Sequence, residues 1–134
     1  YLDEKEKMRS YLYLGDYEYL KRIEESVKAS KRELELSDGE DMGRIAQSGE
    51  KIHNAINNLI YLLRKREYGD HEWVRNQIRE ITYVDERTKI RLSEINDSLH
   101  ANFYHRFLDY KGVKYMVEDA IKIINNILLR YKQG

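Results

Sequence analysis

No proline occurs anywhere in the 134 residues, and glycine occurs only seven times. Proline removes a backbone donor and clashes with the preceding helical turn, so a chain without it can run in long helices. The apolar residues agree. They recur at steps of three and four, the repeat that lines up side chains on one face of an α-helix. Connections of two to five residues separate these runs. The expected fold is therefore all-α: an antiparallel up-and-down bundle of five to six helices in a single domain over residues 1–134. Residues 1–36 form an N-terminal helix or helix pair, and 40–131 the core.

The runs can be placed one by one. A first helix is expected over Leu2 to Leu14, with Gly15-Asp16 as stop and new N-cap. The next spans Tyr17 to Leu36, with Leu20, Ile23, Val27, Ser30 and Leu34 as its inner stripe. Ser37-Asp38-Gly39-Glu40-Asp41 is a turn whose acids suit the positive end of the following helix. That helix, about Glu40 to Glu67, has the widest apolar face: Ile45, Gly49, Ile52, Ile56, Leu59 and Leu63. Gly49 and Ala46 leave room for another helix to approach. A short helix follows over His71 to Thr82. Another is capped by Asp85 and runs to Phe107-Leu108, with Ile90 or Leu92, then Ile95, Leu99 and Phe103 facing inward. The last covers Lys111 to Tyr131.

Composition removes several function classes. The formal charge is zero, 24 basic against 24 acidic residues, so there is no global pull towards nucleic acid. With no cysteine there is no disulfide framework, thiolate nucleophile or thiolate zinc site. No apolar run nears the ~20 residues of a membrane helix; Ile60 to Leu63 is broken at once by Arg64-Lys65-Arg66. No signal peptide is visible, and a cytoplasmic location is expected. Abundant Glu, Lys, Arg, Ile and Tyr without Cys suits a heat-adapted protein. Twelve tyrosines exceed what a core of this size needs. Tyr11, Tyr13, Tyr17, Tyr19, Tyr61 and Tyr68 cannot all be buried. With the small-residue face they point towards a homodimer interface.

Groups able to donate, accept or stack are densest from Ile95 to Asp109. On one helix Asn96, His100 and Phe103 share a face, while Ser98, Asn102 and His105 point elsewhere. Imidazole titrates near neutral pH, which acid–base work at a ribose hydroxyl requires. The plain alternative is a buried histidine bonded to an asparagine or tyrosine. A second constellation is Glu50-x-x-His53 with Asp97-x-x-His100, the spacing of di-iron bundles, which also need an inward acid from each of two more helices. Glu24 lies only beside its stripe and Glu118 faces away, so neither a metal site nor a cofactor is expected. The basic residues Arg64, Lys65, Arg66, Arg75, Arg79, Arg87, Lys89 and Arg91, with Trp73 and Tyr83 for stacking, are interleaved with acids. A solvated, salt-bridged face is expected there.

The segment Leu99-His100-Ala101-Asn102-Phe103-Tyr104, followed by Phe107-Leu108 and a turn into a Val-rich closing helix, resembles the archaeal PaREP proteins of the HEPN superfamily. Gly43 to Leu63, with Gly49, His53, Ala55 and Ile56, is similar to that family's small-residue second helix. The likeness covers about residues 38 to 131. It implies an up-and-down helical core and a homodimer. It also implies either metal-independent ribonuclease activity or a nucleotide-binding role beside a nucleotidyltransferase. HEPN nucleases carry an Arg and a later His with four to six residues between them. Before His100 those slots hold Ile95, Glu94 and Ser93, and before His105 they hold His100, Leu99 and Ser98. Arg66 and Arg64 stand at such gaps from His71, but across the Gly69-Asp70 turn. The expected function is thus a HEPN-like binding or interaction module without a complete nuclease motif. The alternative is a toxin-like ribonuclease using His100, with Asn96 and Tyr104 orienting it. RNA, a nucleotide or a nucleotidyltransferase would be its partner, and no membrane.

Overall fold

The computed structural model describes residues 13–82 and 84–133. Among them are five helices and no strand: α1 (Asp16–Ser37), α2 (Met42–Arg64), α3 (His71–Arg79), α4 (Glu86–His105) and α5 (Tyr110–Gln133). The all-α bundle expected from the periodicity is what forms. The helix expected over Leu2 to Leu14 lies largely outside the described residues, and Tyr13 and Leu14 are not helical.

Local chemistry sets the boundaries. Asp41, Asp70 and Asp85 each accept a backbone N–H of the first turn of α2, α3 and α4, from Arg44, Glu72 and Thr88 respectively. Side-chain oxygens there satisfy donors that have no intrahelical partner. Several ends fall short of the expected ones. The chain turns left-handed at Lys65 (φ 55°), so α2 stops at Arg64 and the rest of the basic run lies outside it. Arg106 (φ 52°) does the same after α4. Phe107 and Leu108 are therefore not helical, and Asn102 Oδ1 accepts the Leu108 N–H at 2.7 Å instead. Likewise α3 closes at Arg79 rather than Thr82.

Cross-helix pairs give the directions. Along α1, Tyr19 meets Glu67 just beyond the end of α2, Ser30 meets Ser48 and Glu33 meets Arg44 near its start. Along α2, Glu50 meets His100 and His53 meets Asn96 on α4. Both pairs of helices are antiparallel, and α2 packs against each of the other four. Its face Ile45, Ile52, Ile56, Leu59 and Leu62 is sealed, with Ile95 and Leu99 from α4 and Val117 and Ile124 from α5. Leu92, not Ile90, belongs to that core; Ile90 is exposed and Phe103 only partly covered.

Two features of the sequence take definite places. Gly49 faces Leu99 within the same chain, where an added Cβ would come within 3.1 Å of Leu99 Cδ2. The small-residue face thus serves α2–α4 packing. Among the tyrosines, Tyr19 and Tyr61 are core and Tyr17 is exposed; Tyr11 lies outside the described residues. Among the described residues no helix is long and apolar enough to cross a membrane.

Candidate functional site

Four polar side chains line the junction of α2 and α4. Glu50 and His53 are one helical step apart on α2, and Asn96 and His100 are one turn apart on α4. Each set presents neighbours on one face. Because the helices are antiparallel, they pair crosswise. His53 Nδ1 lies 2.8 Å from Asn96 Oδ1, and His100 Nδ1 lies 3.0 Å from Glu50 Oε1. The two imidazoles stack, centroids 4.1 Å apart at 19°. The Gly49–Leu99 contact beside them allows this close approach.

A third histidine arrives from a separate element. His71 is the first residue of α3 and is exposed. Its ring sits 4.8 Å from His100 and 5.7 Å from His53. Ring nitrogens of all three lie within 4.8 Å of one another.

The burial is graded. His53 is sealed at 4% exposure, whereas the His100 side chain keeps 26%. Burial pushes the His53 imidazole down to about 4, and the His100 ring adds to this while the Asn96 bond opposes it. His53 is therefore neutral at pH 7. An amide oxygen only accepts, so Asn96 Oδ1 takes the Nδ1 proton of His53. Nε2 is left unprotonated, with Asn57 Nδ2 donating to it at 3.2 Å. By the same logic Glu50 takes the Nδ1–H of His100 and leaves Nε2 for other work.

The residues singled out from sequence divide. His100 is at the site. Asn96 is there too, buried, but it orients His53, and Glu50 orients His100. Tyr104 is 65% exposed and meets His100 only edge-on, centroids 5.3 Å apart. Asn102, assigned away from the active face, is buried and closes the end of α4. Asp97 pairs with Arg75 at 3.3 Å, so the two acid–histidine steps do not form a four-acid di-metal set; Glu24 and Glu118 are exposed. Arg64 pairs with Glu80, and Arg66 lies over Tyr68 and Trp73. Lys89 and Arg91 pair with Glu86 and Asp119, as a salt-bridged face requires. In the sequence His71 is weighed only against Arg64 and Arg66 and set aside because the Gly69-Asp70 turn intervenes. Its meeting with His53 and His100 is missed there, since nothing local says which helix it meets.

Fold and site together define a helical bundle with a partly exposed histidine cluster where three helices meet. Compared with known proteins, the chain matches no family model, and neither a curated protein nor a solved structure is significantly similar to it.

Proposed function

We propose that the chain is a HEPN-like binding module whose recognition surface is the cluster His53, His71 and His100. It works in the cytoplasm as a homodimer, with RNA, a nucleotide or a nucleotidyltransferase as partner. One observation carries the reading. Three imidazoles from three helices converge, one buried, one half-buried and one exposed, and two have their orientation fixed by buried or partly buried partners. A bundle gains little stability from stacking histidines, since each buried ring must be desolvated. A ligand that uses them gives the arrangement a purpose.

Binding is preferred to cleavage because phosphoryl chemistry needs a cation aimed at the developing charge. Arg75, one turn from His71 on α3, is engaged by Asp97. The groove beyond it mixes Arg79 and Lys89 with Glu86 and Glu94. The test is NMR of the imidazole carbons while an RNA oligonucleotide or ATP is added in the presence of chelator. Resonances of His71 and His100 should shift at sub-millimolar ligand, and His105 should not. Unmoved resonances at millimolar RNA and nucleotide would count against a nucleic-acid or nucleotide ligand.

A second reading draws on the Glu50–His100 pair. A carboxylate that fixes the tautomer of an imidazole is what a general base needs. His100 Nε2 would take the ribose 2′-hydroxyl proton as that oxygen attacks phosphorus and the 5′-oxygen leaves. RNA cleavage in chelator that disappears in His100→Ala would establish this reading in place of the first.

A further inference from the structure

Two of the three histidines are oriented as a metal ion asks of its ligands. Imidazole ligates through the lone pair of a neutral ring, and ligating rings usually give their other N–H to a carboxylate or carbonyl oxygen. Here His100 gives its N–H to Glu50 and His53 gives its own to Asn96. These are the two partner types expected, one on each ring. With the third ring, His71, the candidate ligand nitrogens all lie within 4.8 Å of one another. In a tetrahedral site with Zn–N of about 2.0–2.1 Å, ligand nitrogens lie about 3.4 Å apart. A shift of up to about 1.4 Å closes the widest separation. His71, exposed at the first position of a nine-residue helix, can supply it by a rotamer change.

The geometry points to a divalent transition-metal site in which His53, His71 and His100 are ligands and Glu50 and Asn96 orient two of them. Three protein ligands leave a fourth position for water or a bound group. Nitrogen donors select zinc, copper, nickel or cobalt, whereas magnesium and calcium need oxygen shells. The Glu50 carboxylate offsets part of the ion's charge. Asn57, the present donor to His53 Nε2, gives way to the ion; its buried Oδ1 has no hydrogen-bond partner among the described residues that would hold the amide in place. This assignment rests on the histidine cluster being a ligand site.

The full chain, stripped with chelator, is titrated with Zn²⁺ by calorimetry and with Co²⁺ in visible absorption. One ion per chain is expected, with the intense bands of tetrahedral cobalt. His71→Ala should weaken binding by more than 100-fold and Glu50→Gln by about 10-fold, the size of an orienting partner's effect. His105→Ala should leave it unchanged. His71 is exposed, so its variant tests the site without threatening the fold; His100→Ala is the second. Absent binding, or affinity equal in His71→Ala and the parent chain, overturns the assignment. If metal fails but RNA or nucleotide still shifts the imidazole resonances in chelator, only the metal is wrong. If all three fail, the histidine cluster is not their site.

Discussion

Glu50 and His100 lie 50 residues apart in the chain and 3.0 Å apart in space. Their bond spans the α2–α4 junction, parallel to that of His53 with Asn96. Replacing Glu50 by Ala removes the acceptor that fixes the His100 ring. Glu50 is partly covered, at 17% exposure, so the loss is that of an ordinary hydrogen bond rather than an orphaned buried charge. Urea unfolding should show a decrease of about 0.5–1.5 kcal/mol. The His100 imidazole resonance should broaden or move as the ring begins to flip.

Acid should weaken the protein through His53. Its imidazole titrates near 4 when folded and near 6.5 when unfolded. Between those values the unfolded chain binds the extra proton, so stability falls as pH drops from about 6.5 to 4 and levels off below. The shift corresponds to about 3 kcal/mol. Urea midpoints at pH 7 and pH 4 measure it, and His53→Leu should remove that part of the slope. An equal slope in the variant would place the effect on the carboxylates.

At Gly49 two effects oppose. A helical Gly→Ala change in open space gains about 1 kcal/mol, but here the new Cβ meets Leu99 Cδ2 at 3.1 Å. Leu99 is fully buried, and overfilling a tight core costs about 1–3 kcal/mol. Gly49→Ala should therefore be neutral to about 2 kcal/mol destabilising by thermal melting. A clear gain would mean that α2 and α4 yield easily.

Ser30 and Ser48 tie α1 to α2 inside the core. Each hydroxyl donates to the other residue's carbonyl at 2.9 Å, and both are fully buried. Ser48→Ala should cost about 1–2 kcal/mol, because the Ser30 carbonyl and hydroxyl each lose a buried partner. The double change to Ala should cost less than the sum of the two single ones, since the hydroxyl–hydroxyl contact at 3.0 Å is lost only once. Denaturant curves of the four proteins in the cycle decide this.

Much of the fold was legible because its causes are local. The Asp85 cap, the turn around Asp38-Gly39 and the stripe from Ile45 to Leu63 depend on neighbours within a few residues, and the structure places them close to where the pattern does. The ends of α2 and α4 were overrun because Lys65 and Arg106 take left-handed backbone that neither residue type announces. His53 looked marginal because the edge of an apolar face says nothing of what will cover it. Asn96 looked like a partner for His100 because they share a helix, yet a side chain four residues away competes with one brought by another helix.

The sequence by itself determined that this chain is helical, where its turns fall and which faces are apolar, since proline, glycine, caps and a 3.6-residue repeat act within one segment. It also marked His100 and Asn96. Only the tertiary structure decided that His53, His71 and His100 meet, that Glu50 rather than Asn96 holds His100, and that Asp97 leaves the site for Arg75. Those outcomes depend on the offset between antiparallel helices, and one step of four residues moves a side chain about 6 Å along the axis. That is twice the length of a hydrogen bond. Gly49 and Leu99 lie close together at that junction, beside the site.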